Sequence, residues 1–297
     1  MTSTSSFGAW GWGWGDDLAH GGWVVPADIP AAEAAALKWL YYATGGDSWT
    51  TNTNWGLTAT AANWHGITVA GGKVTKIELG ANNLAGDVTS FAVDAFTTLQ
   101  WLYLNNNVLT GSPAAWVISN TAQRVNLSGI AGFTADMSGF AIPTGIVFLF
   151  LHVCNFTGDM TAITWPASTQ RVYLYDNGFT GDLSSMVINA GMTQLYLDGN
   201  SFTGSPDISA NTAMSIYKLD DNGLIQAHVD AALLAVYTIR ANFTDATPEF
   251  FVGGTNAAPS GIYQDGDPPT TGKEYAFELE NDPEAEGFNA WAIDFTA

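Results

Sequence analysis

The chain has 297 residues, with 28 Asp and Glu against 8 Lys and Arg, a formal net charge of −20. That balance excludes phosphate-led nucleic-acid binding, which needs a basic footprint. A 47% apolar content excludes a disordered chain, and the single cysteine, Cys154, excludes a disulfide framework or multi-cysteine metal site.

No apolar run reaches the ~18 residues of a membrane span; the longest, 145–154, is short and carries His152. The first residues lack the positive charge and aliphatic core of a secretory leader. The chain is therefore expected to stay in the cytoplasm or to leave it by another route. Residues 1–29 form a Gly/Trp-rich arm in which Phe7 precedes Trp10, Trp12 and Trp14, alternating with glycine. Extended, such an arm puts its tryptophans on one side and bare backbone on the other. Burial against its own cap and docking on a neighbour both satisfy it.

Residues 30–73 read as an amino-terminal cap. Pro30 to Ala43 predicts a helix, with Pro at its start, Leu37, Leu40 and Tyr41 on one side, and Gly45 and Gly46 stopping it.

From 74 to 252 a frame L-x-L-x-x-N-x-L/F-x-G repeats. It runs Ile77, Leu79, Asn82, Leu84, Gly86; then Leu102, Leu104, Asn107, Leu109, Gly111. It returns around Asn177 and Asn200, shortens at Asn222, and is worn at Tyr237, Ile239, Asn242. Ile130 and Cys154 stand where Asn belongs in two further copies, and an extra residue precedes Phe133. The anchors 82, 107, 130, 154, 177, 200, 222 and 242 are spaced 25, 23, 24, 23, 23, 22 and 20 residues apart. Alternating apolar residues make a short strand with one face inward. A buried Asn then bonds the backbone exposed at the following turn. Cys154 substitutes in part as a weak donor, whereas Ile130 interrupts the ladder.

This frame resembles the plant-type leucine-rich repeat. The resemblance implies a right-handed solenoid of about eight coils with a concave recognition face. The stretch 43–69 is similar to the amino cap of that class, but Val69 stands near an expected cysteine, so Trp49, Trp55 and Trp64 are expected to supply the packing. Residues 253–297 are an acidic carboxy-terminal module: a Gly/Pro-rich stretch, a short helix or strand near Tyr275 to Leu279, and a last strand from Asn289 to Phe295.

Outward strand positions carry Trp101, Tyr103, Phe148, Phe150, Tyr173, Tyr175 and Tyr196, with Lys76, Arg124, Arg171, Lys218 and Arg240 among them. Cross-strand stabilisation and a binding surface both fit this mixture. Asp87, Asp136, Asp159 and Asp182 form a second column after the repeat glycines. Capping of backbone N–H groups explains it, with a hard cation on Asp136, Asp159 and Asp182 as the lesser alternative. His20, His65, His152 and His228 have no metal-ligand spacing, and no catalytic motif is present. Asn126, Asn155 and Asn242 head N-x-S/T triplets.

These readings predict an α/β-type, mostly β repeat solenoid with a helical amino cap and a small carboxy cap. It is expected to bind rather than catalyse, with no cofactor. The leading expectation is a subunit or decoration protein of an assembly such as a phage virion or extracellular filament, contacting copies of itself or a capsid or filament partner. The alternative is a free protein recognising a protein or glycan on its aromatic face.

Overall fold

The computed structural model describes residues 22–242, 248–266, 268–281 and 292–295. The chain folds as a mostly β solenoid, as the repeat frame predicts. The α1 helix (Ala31–Ala43) starts after Pro30, whose fixed φ suits a helix start. It buries Leu37, Leu40 and Tyr41. Glu33, 1% exposed, reaches from α1 to accept the Val74 N–H at 2.7 Å, tying the cap to the first coil. Trp49, Trp55 and Trp64 are buried beside Tyr41, with Trp49 and Trp55 ring centroids 4.9 Å apart and Trp55 and Trp64 5.1 Å apart.

A hairpin of β1 (Ile67–Ala70) and β2 (Lys73–Glu78) opens the main sheet. The following strands are β3 (Ala85–Asp87), β4 (Trp101–Tyr103), β5 (Val108–Thr110), β6 (Arg124–Asn126), β7 (Thr134–Asp136) and β8 (Phe148–Phe150). After them come β9 (Asn155–Asp159), β10 (Arg171–Tyr173), β11 (Gly178–Asp182), β12 (Gln194–Tyr196), β13 (Ser201–Thr203) and β14 (Ile216–Lys218). The α2 helix (Gln226–Ile239), β15 (Glu249–Phe251), the α3 helix (Gly272–Asn281) and β16 (Ala292–Asp294) complete the fold.

The main sheet runs β1-β2-β4-β6-β8-β10-β12-β14-β15-β16, parallel from β2 onward. Each coil contributes one short strand to this sheet, three residues long from β4 to β15 with its central residue pointing inward, and six residues long in β2, where Ile77 takes that place. Ile77, Leu102, Val125, Leu149, Val172, Leu195, Tyr217 and Phe250 are all fully buried. Such burial contributes about 1.5–3 kcal/mol per large apolar side chain. Phe133, Phe156, Phe179 and Phe202 form a second buried stack, with ring centroids 5.9, 6.3 and 6.4 Å apart along it.

The solenoid has about six regular turns, fewer than the eight expected. At the carboxy end one expected copy is displaced. Tyr237, Ile239 and Asn242, read as a worn repeat, belong to the end of α2 and the short 3-10 turn after it. In α2, Val229, Ala232, Leu233, Val236 and Ile239 are buried at helical spacing, and the helix packs on α3. The next strand of the sheet is β15, and Asn256 takes the ladder place expected of Asn242.

The second sheet is discontinuous. Strands β7, β9, β11 and β13 form one parallel set, while β3 and β5 form another. A single bridge, Gly111 to Phe133, links them. This break falls in the coil where Ile130 replaces Asn and an extra residue precedes Phe133. Among the described residues no helix is long and apolar enough to cross a membrane. The arm residues Phe7, Trp10, Trp12 and Trp14, and the first part of the 289–295 strand, lie outside the described residues.

Candidate functional site

The outward side chains of the main sheet stand in three columns, because each strand presents alternate residues to one face. The first column alternates cations and rings across five adjacent strands. Lys76 Nζ lies 3.3 Å from the Trp101 ring centroid. Arg124 Cζ lies 4.5 Å from Trp101 and 4.9 Å from Phe148, and Arg171 Cζ lies 5.1 Å from Phe148. The strand register places these residues side by side. Each cation over a ring contributes about 0.5–1 kcal/mol when partly exposed.

In the second column Phe150 stacks on Tyr173 at 4.5 Å, and Tyr173 meets Tyr196 at 4.4 Å. The Tyr173 hydroxyl donates to Gln194 Oε1. Lys218 Nζ follows, 5.0 Å from the Tyr196 ring and 4.5 Å from Phe251. Tyr103 stacks on Trp101 within its own strand at 6.0 Å. Arg240 is not on this face. It caps α2 over the Tyr237 ring, 3.7 Å from the centroid, and its Nη1 donates to the Tyr237 carbonyl.

The third column was not singled out in the sequence, apart from Tyr175. His152 stacks on Tyr175 at 4.4 Å, and burial pushes its imidazole down to about 4, so it is neutral at pH 7. Asp198 and Asp220 stand on the next two coils. Burial, then the neighbouring Asp220, pushes the Asp198 carboxyl up to about 6; burial also raises Asp220. Oδ1 of each is buried and has no hydrogen-bond partner among the described residues. The signal was available: these residues occupy the position after the second apolar residue of the frame.

The ladder residues lie behind the face. Asn200 Nδ2 donates to the carbonyls of Leu174, Leu197 and Asp198, while its Oδ1 accepts from Phe179 N–H. Asn107, Asn177, Asn222 and Asn256 bond in the same manner, and Asn82 bonds to Thr51. Cys154 Sγ contacts the Leu127 carbonyl at 3.3 Å, and burial pushes its thiol up to about 11.

The aspartates of the turn column each accept the N–H two residues on: Asp87 from Thr89, Asp136 from Ser138, Asp159 from Thr161, Asp182 from Ser184. For Asp87, Asp136 and Asp159 the hydroxyl of that same residue and then its N–H hold the carboxyl below its usual range, and for Asp182 the N–H and then the hydroxyl of Ser184 do so. Among the described residues no three His, Cys, Asp or Glu side chains are grouped to hold a metal. Of the triplet asparagines, Asn155 is exposed, whereas half-buried Asn126 accepts from Ser128. A cleft of about 300 Å³ in the cap is lined by Gly22, Trp23, Tyr41, Tyr42, Asp47 and Trp55. Exposed His65 does not line it.

No protein-family model and no curated protein matches the chain. Its fold is similar to solved plant structures. One is a pollen receptor kinase 3, with 19% identity over 64% of this chain and 83% of that chain, TM-score 0.43. Another is the LRR ectodomain of the receptor kinase SOBIR1 from Arabidopsis thaliana, with 14% identity over 60% and 98%, TM-score 0.45. A third is the BIR3–SERK2 complex from Arabidopsis thaliana, with 18% identity over 59% and 96%, TM-score 0.40.

Proposed function

We propose that this leucine-rich-repeat solenoid is a non-catalytic interaction protein that docks a protein partner on the face of its main sheet. The observation that supports this reading is the in-register row Lys76, Trp101, Arg124, Phe148 and Arg171. It gathers three of the chain's 8 basic residues, with aromatic rings, on one surface of a chain of net charge −20. Aromatic and arginine side chains are the groups that dominate protein interfaces. A photo-crosslinker at Tyr103, compared with one at Thr157 on the other sheet, tests it in the native source. Adducts are expected from position 103 and should disappear with Trp101→Ala and Phe148→Ala. Equal adducts from both positions would sink the reading. A glycan is the less favoured ligand of the same rings.

A second reading concerns assembly. The Gly/Trp arm and the aromatic cleft beside Gly22 favour a role as a subunit or decoration protein of a particle, such as a virion, or of an extracellular filament. The chain would then work outside the cell that makes it; a cytoplasmic binding protein is the alternative. At net charge −20, association must overcome repulsion, so added salt should strengthen it. Light scattering across a salt series checks this. A monomer at every salt and protein concentration, unaltered by Trp10→Ala, Trp12→Ala and Trp14→Ala, would exclude it.

A further inference from the structure

The three cations of the first column have rings for neighbours and no carboxylates. Lys76, Arg124 and Arg171 lie against Trp101 and Phe148. None of their side chains hydrogen-bonds or ion-pairs with another of the described residues, in a chain with 28 Asp and Glu. Arg171 is exposed; Lys76 and Arg124 are half-buried, and their nitrogens reach solvent. Stacking on a ring uses the flat face of a guanidinium and leaves its N–H edge open. The rings therefore hold these cations in place while their donors stay unused.

The acids lie elsewhere on the sheet. At the outward positions of β2, β4, β6, β8 and β10, Glu78 is the one carboxylate. His152, on the third column, is neutral at pH 7. From β12 onward the balance reverses, and Asp198, Asp220, Glu249 and Asp294 stand with the single Lys218.

We propose that Lys76, Arg124 and Arg171 form a row that receives the carboxylates of an acidic segment of a protein partner, one with Asp or Glu at every third residue. The spacing selects that pattern. The three cations occupy alternate strands of the sheet, so neighbouring ones are two strand intervals, about 9.5 Å, apart. A polyproline II chain rises ~3.1 Å per residue and turns once in three, which puts residues three apart on one side at about 9.3 Å. In a β-strand, residues three apart point to opposite sides. The chemistry selects the carboxylate: an arginine fork matches its two oxygens, and lysine adds a point charge. The field selects the place. An acidic segment is drawn over β2 to β10 and repelled from β12 onward.

The row rests on the reading of this face as a docking surface, but its test stands apart from the search for a partner. A fluorescent peptide of three Glu-Pro-Pro repeats is titrated into the full chain and followed by anisotropy. One control replaces each Glu by Gln; another keeps the composition and sets the three Glu side by side. Saturable binding is expected for the first peptide, about tenfold weaker binding for the Gln form, and about threefold weaker binding for the grouped form. Arg124→Gln and Arg171→Gln, shown folded by their melting curves, should each weaken the first peptide by about three- to tenfold. Lys273→Gln, the same charge change on α3, should leave it unchanged. Because Arg171 is exposed, its variant carries the comparison should Arg124→Gln not fold. Added salt should weaken binding.

Equal binding of the Glu and Gln peptides, equal binding of the spaced and grouped peptides, or a loss on Lys273→Gln as large as on Arg171→Gln would each overturn the row. So would tighter binding of a sulfated heparin fragment than of the Glu peptide, which would assign the cations to a glycan. Loss of partner crosslinking on Trp101→Ala and Phe148→Ala, with Glu and Gln peptides equal, would leave the docking face standing and the acidic segment refuted. Glu selectivity without any crosslink from position 103 would do the reverse.

Discussion

The carboxylate of Asp159 occupies the space that a Cβ on Gly181, one coil further along, would need. Gly181 also has φ +123°, a conformation that L side chains rarely adopt. The turn aspartate and the repeat glycine are thus one device: the Asp closes its own turn through Thr161, and the bare backbone of the next coil lies against it. Asp136 with Gly158 and Asp182 with Gly204 repeat the contact.

Gly181→Ala is therefore expected to destabilise the fold by about 1–3 kcal/mol through backbone strain, with the steric clash in addition. Adding Asp159→Ala should recover the part of the steric cost that falls on the carboxylate, but neither the contact with Thr161 Cγ2, 2.7 Å from the same position, nor the backbone part. Urea melts of the two single variants and the double variant check this. Strict additivity would show that the two residues do not meet.

The ladder residues should rank by their bonds. Asn200→Ala removes an acceptor for Phe179 N–H and donors to three carbonyls, and is expected to cost about 2–4 kcal/mol. Cys154→Ala removes the weak sulfur contacts to the Leu127 and His152 carbonyls and is expected to cost about 1 kcal/mol. Denaturant midpoints measure both. The Cys154 thiol, raised to about 11, should react with a thiol reagent only when the chain unfolds.

Two sets of aspartates should move stability in opposite directions with pH. Asp87, Asp136, Asp159 and Asp182 are held below their unfolded value, so their contribution is present above that value and is lost as acid protonates them. Asp198 is raised to about 6, so the folded state binds the extra proton and stability falls as pH rises from about 4 to about 6. Asp198→Asn should then stabilise the chain at pH 7 by about 1–2 kcal/mol, discounted for its partial exposure, and have little effect below pH 4. Thermal melts across pH 3 to 8 check the sign. A destabilised Asp198→Asn at pH 7 would contradict it.

The repeat was legible because its restraints are local and periodic. An inward Leu at every second position and an Asn three residues later leave few alternatives to a short strand and a turn. The end of the solenoid was not, because two periods overlap at Tyr237 and Ile239. Alternate spacing reads as a strand, yet Val229, Leu233 and Val236 bury one side of a helix. The displaced ladder residue Asn256 follows Val252 by four positions instead of three, outside the frame. At the candidate site the aromatic and basic positions followed from the alternation, except Arg240, which inherited the same misread coil. Asp198 and Asp220 were overlooked for another reason: acids are common in this chain, so two at a regular place in the frame did not stand out from the rest.

The coil containing Ile130 has a mechanical consequence. Two connections fail there together, the amide ladder and the second sheet, while the main sheet and the apolar interior continue. The solenoid is a column with one seam, two turns above and the longer block below. Pulled from its ends, the column should part at that seam first, and each block should then extend as a separate force peak.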